Sequence, residues 1–328
     1  MGAGAALAED LALVVVAAGN APSLHNSQPW HFSVVDGRLL LSADSDRALW
    51  VSDPNGRALY ISCGAALFSA RVALRALGYE PQVRQLPHPE YPFTVLAVID
   101  AADGRPPTPA DDGLYEALWQ RRTNRGPFSD EQVPEPLLAL LRKAADHESS
   151  SMRVLNRRDT ARVLALARQT GRQLSDDPAH MAELRQWIAT GQPDGIPVDA
   201  LPMQPDRHPS PVRATDFLAA APEQRPPAAY EAHPQLAVLA TRHDEPADWL
   251  QTGQALQHVL LVATACGLSA SFFYQLVERD DMHDQGSQWP WPENRQMVLR
   301  LGYGSLPAPV PRRPLAEIMP ALRELRMA

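Results

Sequence analysis

Two apolar runs of the same design lie in the two halves of this 328-residue chain. The run from Gly64 to Tyr79 aligns without gaps on the run from Gly253 to Leu268, with Gly, Ala and Leu in register at 64/253, 66/255, 67/256, 76/265 and 78/267. Both are small and apolar nearly all round and both close on a glycine suited to a helix C-cap. That is the pattern of a buried central helix. Each is followed by a β-rich stretch, Phe93 to Ile99 in the first half and Met297 to Leu301 in the second. Helix and strand recurring in the same order predict an internal duplication, and two such helices packed together make a pseudo-symmetric body.

Between the two runs the pattern breaks in informative places. Ala101 to Gly113 is a polar linker rich in Pro and Gly. A helical run follows from Leu114 to Gln120, and a second helix is expected to open after Ser129, which makes a capping box with Gln132, and to run through Leu137 to Ala145. From Gly191 to Pro234 the chain carries ten prolines and no long periodicity. A loop of that length inside a domain is a functional lid or a disordered segment. Met203, Asp216, Phe217 and Tyr230 give it docking groups, so an ordered cover is the expectation.

Chemistry enters at two points. Ala21 to Trp30 reads Ala-Pro-Ser-Leu-His-Asn-Ser-Gln-Pro-Trp, with amide, hydroxyl and imidazole groups held between Pro22 and Pro29. Such a braced loop suits the grip of a flat polar ligand. The same residues also fit a C-cap at Gly19 and Asn20, a turn, and a Trp that opens a core strand. The second point is Arg121, Arg122, Thr123 and Arg125 at a helix end. Guanidinium groups with a hydroxyl can hold a phosphate monoester, whereas a solvated charged face needs no ligand at all. Arg312 and Arg313, braced by Pro311 and Pro314, could converge on the same anion or form a solvated tail.

Composition removes several alternatives. A net charge of -8 argues against nucleic acid as the main partner. Cys63 and Cys266 are too few for a disulfide framework or a cysteine zinc site, which makes the cytoplasm the default compartment. The apolar run from Leu11 to Ala18 follows Glu9 and Asp10, where a secretory segment would be basic, and Ala6 departs from the myristoylation pattern. No apolar stretch reads as long enough to span a bilayer. Gly302, Tyr303, Gly304 and Ser305 fall short of a dinucleotide-binding glycine loop. Neither a phosphate-binding P-loop nor a nucleophile elbow is present, and Asp44, Asp46 and Asp53 lack calcium-loop spacing.

Taken together, Pro22, Ser23, Asn26, Gln28, Pro29 and Trp30, the Arg121, Arg122, Thr123, Arg125 and Phe128 motif, and the Gly/Ala-rich central helix resemble the FMN-dependent nitroreductase superfamily. More closely, the chain resembles the duplicated Acg-like branch known from actinobacteria. Asp53 to Arg57 leading into the central helix, and Arg312 to Leu315 near the end, share that likeness, which covers nearly the whole chain. It implies an α+β fold of two tandem nitroreductase-like halves forming a pseudo-dimer, each a mainly antiparallel sheet with helices packed around long central helices. The halves would be 1–105 and 114–328, with the Pro-rich lid inserted at about 190–235.

In that superfamily each of two FMN sites takes the arginine motif from one subunit and the Pro-Ser loop from the other. Here only the first half has the loop and only the second has the arginines, since Asp146 to Val154 occupies the place of the second loop. The resemblance therefore implies one composite FMN site per chain, in a monomeric pseudo-dimer or weak homo-oligomer. Arg121, Thr123 and Arg125 would bind the phosphate, Arg122 would contribute through side chain or backbone, and Arg312 or Arg313 would close the clamp. Pro22, Ser23, His25, Asn26 and Gln28 would line the ribityl chain and ring, and Ala270 to Gln275 would form the loop beside the isoalloxazine. Phe272, Tyr274 and Gln275 stand where simpler nitroreductases carry Pro and Glu-Gly. The implied reaction is ping-pong transfer from NADH or NADPH through FMN to a small-molecule acceptor, a nitro compound or quinone. No catalytic side chain is assigned, and His25 is read as structural or flavin-contacting. The alternative is a non-catalytic protein that binds or stores flavin under its lid.

Overall fold

Helix initiation is set by polar groups just ahead of each apolar run. In the computed structural model, which describes residues 3–91, 93–188, 194–205, 217, 226–277 and 294–320, the first half opens with α1 (Ala3–Ala18) and then the strands β1 (Trp30–Val35) and β2 (Arg38–Ala43). Asp36 and Gly37 both have positive φ, the two-residue turn that the right-handed twist of a hairpin favours. The central helix α2 (Arg57–Ala76) starts seven residues before Gly64. Asp53 accepts hydrogen bonds from Ala58 N and Leu59 N, and Gly56 supplies the left-handed residue before the first turn. After it come β3 (Tyr79–Gln85) and β4 (Val95–Asp103), completing an antiparallel sheet in the order β1-β2-β4-β3.

The second half repeats that plan. It begins with α3 (Pro109–Gln120) and α4 (Glu135–His147), then β5 (Ser151–Val154). Helices α5 (Arg157–Ser175) and α6 (Pro178–Gln186) and the two-residue strands β6 (Gln204–Pro205) and β7 (Pro227–Ala228) are inserted before β8 (Gln235–Thr241). The second central helix, α7 (Pro246–Ala265), is opened by a capping box between Glu245 and Asp248 with Pro246 in its first turn. Strands β9 (Ser269–Phe272) and β10 (Asn294–Gly302) give an antiparallel sheet in the order β5-β8-β10-β9. In both sheets the order is first, second, fourth, third, with the long helix between the second and third strands. A last short helix, α8 (Leu315–Ile318), returns to the first half, where Ile318 joins the core.

The two halves meet where α2 and α7 cross. A Cβ on Gly64 would run into the Leu250 carbonyl oxygen and stand 3.0 Å from Gly253 Cα, and a Cβ on Gly253 would run into the Ile61 carbonyl oxygen. The contact is reciprocal: 61 and 64 on one helix match 250 and 253 on the other. The cores interlock by the same rule, since Ile61 belongs to the second half's cluster while Leu250 and Leu261 belong to the first half's. At the start of the helices Arg57 donates to Gln296 Oε1 (2.7 Å) and to Asp244 Oδ2 (2.9 Å), tying the first half to the second.

Three expectations need correcting, and a fourth falls largely outside the described residues. The first-half strand runs on through Asp103 and α3 begins at Pro109, because Thr108 and Asp111 make a reciprocal capping box inside the expected linker. Ser129 and Gln132 do not open a helix: Ser129 N donates to Tyr303 O and Gln132 Nε2 to His233 O, and α4 starts only after Pro134. Helix α2 does have the length and apolar composition to cross a membrane, but 94% of that window is buried inside the fold. Of the Pro-rich region, residues 189–193, 206–216 (with Asp216) and 218–225 lie outside the described residues. Within the described part Ile196, Val198 and Leu201 form a small cluster with Met181, Leu184, Ile188 and Phe217, close under α6.

The crossing gives a direct stability test. Gly253→Ala should cost about 3 kcal/mol, since a backbone carbonyl cannot yield as a side chain can, whereas Gly113→Ala, with open space around a helical position, should stabilise by about 0.5–1 kcal/mol. Urea denaturation of the two variants beside the parent checks both signs.

Candidate functional site between the halves

The loop after α1 holds an unusual backbone. His25, Asn26 and Gln28 have φ of 50°, 58° and 51°, a conformation that costs energy for residues other than glycine and persists only where contacts over-determine it. Those contacts are present. Gln28 N donates to Ser23 Oγ (2.9 Å), and Gln28 Nε2 donates to the Asn26 carbonyl (3.3 Å). Arg313 N donates to Gln28 Oε1 (2.9 Å) and Arg313 Nη1 to the Gln28 carbonyl (3.0 Å). Asn26 Nδ2 donates to the carbonyls of Gly195 (2.9 Å) and Pro311 (3.0 Å), while its Oδ1 accepts from Arg312 Nη1 (2.5 Å). Two expectations change with this geometry. Asn26 and Gln28 face the C-terminal arm and not the cavity beside the loop. Arg313 is held by Asp44 (3.2 Å) and the loop backbone, which leaves Arg312 as the arm's contribution to the other arginines.

The arginine motif is carried to the same place by backbone pairing. Thr123 bridges Ala270 in parallel register, and Asn124 N donates to the Ala270 carbonyl (2.9 Å). Arg121 is 3% exposed. Its Nη2 donates to the Asn20 carbonyl (3.2 Å), which also accepts from Arg312 Nη2 (3.0 Å), while Arg121 Nε and Nη1 are buried with no partner among the described residues. Arg122 Nη1 turns back on the carbonyls of Trp119 and Arg121. Arg125 lies over the Phe217 ring, 5.8 Å from its centroid. Among the described residues none of these four arginines has a carboxylate partner. Burial, reinforced by Arg312, Arg122 and Arg125, pushes the Arg121 guanidinium well below its usual range. Burial likewise lowers Arg125 to about 10, and burial with Arg122 lowers Arg312 to about 10. Buried cations without a counter-charge are costly, and an anion relieves that cost.

A cavity of about 1030 Å³, its mouth included, lies beside this cluster, between the halves. Pro22, Ser23 and His25 line it from the first half, Thr123 and Arg125 from the second, and Pro202, Phe217 and Tyr230 from the inserted region. Phe272 and Tyr274 lie on the wall, but Gln275 does not. Its amide is buried with both polar atoms unpartnered among the described residues. His25 Nε2 stands 3.4 Å from the Tyr274 hydroxyl. Burial, with His180 and Arg125 nearby, pushes the His25 pKa down to about 3, so the imidazole is neutral and no proton-donating imidazolium is available.

Sequence reasoning missed one wall. Arg300 lines the cavity and is paired with buried Glu231 through two contacts, Nε to Oε1 (2.5 Å) and Nη2 to Oε2 (2.9 Å). Its guanidinium lies 3.7 Å from the Phe128 ring centroid, and that ring fits because Gly302 and Gly304 carry no side chain. The signal was a single Arg inside the apolar strand Met297 to Leu301.

With this geometry in place, comparisons with known proteins agree in class. A family model described as the Nitroreductase family matches residues 118–303. The chain is 32% identical over 327 residues to "Putative NAD(P)H nitroreductase Rv3131" of Mycobacterium tuberculosis, covering 97% of this chain and 93% of that one. It is 30% identical over 307 residues to the Acg protein of the same organism, covering 91% of each. The FMN-dependent nitroreductase NfnB of Mycobacterium smegmatis, solved in complex with NADPH, is similar at 17% identity and a TM-score of 0.39, over 63% of this chain and 97% of that one. The chain belongs to the nitroreductase family.

The neutral His25 predicts a pH dependence. Its pKa is about 3 folded against 6.5 for the free group. Between those values the folded state binds fewer protons here than the unfolded state, so stability falls as pH drops, by up to about 1.4 kcal/mol per pH unit. From pH 7 to pH 5 the parent should therefore lose about 2 kcal/mol more than His25→Asn, as read from urea midpoints at the two pH values.

Proposed function

We propose that the chain is an FMN-binding oxidoreductase with one composite flavin site per chain. The observation that carries this reading is the group of four buried or half-buried arginines, without carboxylate partners among the described residues, beside a cavity between the halves. A phosphate monoester fits them. Among the described residues Nε and Nη1 of Arg121 have no acceptor, Thr123 and Arg125 face the cavity, and a dianion offsets the burial and the repulsion that lower the Arg121 guanidinium. In this reading Arg121, Thr123, Arg125 and Arg312 hold the phosphate, and Arg122 adds to the positive field. Pro22, Ser23 and His25 meet the rest of the cofactor, with Tyr274 fixing the His25 ring. The chemistry that FMN would supply when bound is two-electron exchange between NADH or NADPH and a small-molecule acceptor, a nitro compound or quinone. The chain's part is to bind, to orient and to exclude water with the walls of Phe217, Tyr230 and Phe272.

The two halves, 1–105 and 114–328, would descend from a duplication, which their identical strand orders support. Only Glu148, Ser149 and Ser150 separate α4 from β5, so the second half has no room for a second flavin loop. Glu148 is instead ion-paired with Arg71 (2.6 Å). The inserted region would act as a cover, since Pro202, Phe217 and Tyr230 line the cavity. That cover also supports a second reading, a flavin-storing protein with no turnover.

The purified protein should be yellow, and Arg121→Ala should weaken FMN binding by about tenfold to a hundredfold, the worth of a charge-assisted hydrogen bond. Anaerobic mixing with NADH or NADPH decides between the two readings. Bleaching of the flavin band within seconds is the outcome for an oxidoreductase, and an unreactive yellow protein is the outcome for storage.

A further inference from the structure

Asn26 joins three separate parts of the chain. Its Oδ1 accepts from Arg312 on the C-terminal arm, its Nδ2 donates to Pro311 on that arm and to Gly195 in the inserted region, and its backbone holds the left-handed turn of the first half's loop. The side chain is buried, and a primary amide has only two N–H donors, both engaged here. Nor does Asn26 belong to the wall of the cavity, which the loop reaches through Pro22, Ser23 and His25. We infer that Asn26 is a positioning residue that acts on the phosphate through Arg312, and makes no direct contact with the flavin ring or ribityl chain. This rests on the FMN reading above.

The physical reason lies in the neutrality of the amide. Arg312 is held by two uncharged acceptors, Asn26 Oδ1 (2.5 Å) and the Asn20 carbonyl (3.0 Å). A neutral acceptor fixes the direction of a guanidinium without cancelling its charge, so Arg312 keeps its full charge beside Arg121 and Arg122. An Asp at the same position would keep an acceptor for Arg312 and tolerate the left-handed backbone, but would neutralise Arg312 and lose the two donors to Gly195 and Pro311. An Ala would leave Arg312 with the Asn20 carbonyl alone. The bond to Gly195 couples the same side chain to the inserted region, so a phosphate held by Arg312 also steadies the segment beside the loop.

The experiment compares FMN with riboflavin, which has the same ring and ribityl chain without the phosphate. Flavin-free protein is titrated with each, and its melting temperature is measured with and without inorganic phosphate. Asn26→Asp and Asn26→Ala should weaken FMN by about tenfold or more and leave riboflavin within about twofold of the parent. The stabilisation by inorganic phosphate should disappear in both variants. In an Arg312→Gln background, Asn26→Asp should cause no further loss of FMN affinity, because the two act as one unit. An equal loss of FMN and riboflavin would overturn the inference by showing direct contact with ring or ribityl, and so would unchanged FMN affinity in Asn26→Asp. If the parent binds neither flavin but is stabilised by phosphate, and Asn26→Asp abolishes that, the FMN reading fails while the link from Asn26 to Arg312 stands. No stabilisation of the parent by phosphate and no flavin binding overturn both.

Discussion

The close approach of α2 and α7 at Gly64 and Gly253 is the constraint on which the rest of the molecule depends. Two helices with side chains at the crossing pack 8–10 Å apart, as a rule. Here each backbone carbonyl lies where the other helix's Cβ would be, which only glycine on both sides allows. The approach lets Ile61 enter the second core and Leu250 the first. It also places the loop after α1 beside the arginines that follow α3. Neither half holds the cavity alone: Ser23 and the His25 imidazole come from one, and Thr123 and the cations from the other. A pseudo-dimer is thus needed for the site and not only for the fold.

The price of that arrangement is paid in electrostatics. Four arginines converge with no carboxylate among the described residues to offset them, and desolvation is the largest influence on Arg121, Arg125 and Arg312. Elsewhere the chain pairs its buried charges: Arg300 with Glu231, Arg313 with Asp44, Arg57 with Asp244. The contrast separates scaffold from site. Paired cations hold segments together, and the four with no carboxylate among the described residues lack a counter-charge, which a ligand can supply. Such a ligand stabilises the fold by mass action, by about 2.7 kcal/mol at a hundredfold excess over its dissociation constant.

Much of the fold was legible before the structure because it is written in periodicity. The register of Gly64 with Gly253 is the register of the helix crossing itself, and both β-rich stretches became strands in equivalent positions. Boundaries were less legible. Asp53 caps α2 from outside the apolar run, and Thr108 opens α3 inside a stretch that composition alone reads as linker. In the candidate site, Pro22, Ser23, His25, Thr123 and Arg125 line one cavity, and Arg121 and Arg312 share the Asn20 carbonyl behind it. The partners of Asn26, Gln28 and Arg313 could not be read from the chain. Whether an amide faces a ligand or a neighbouring backbone depends on partners nearly three hundred residues away, at Pro311 to Arg313. Glu231 was hidden for the same reason, since nothing local marks it as the partner of Arg300.

In the proposed reading one cluster of arginines binds one phosphate beside one cavity between two unequal halves. The most direct measurement is the stoichiometry of FMN on flavin-free protein, titrated at concentrations well above the dissociation constant and read by quenching of flavin fluorescence. The account predicts a sharp break at one FMN per chain. A break at two, which would require a second site in the half that carries Glu148 in place of the loop, or no saturable binding at all, would contradict it.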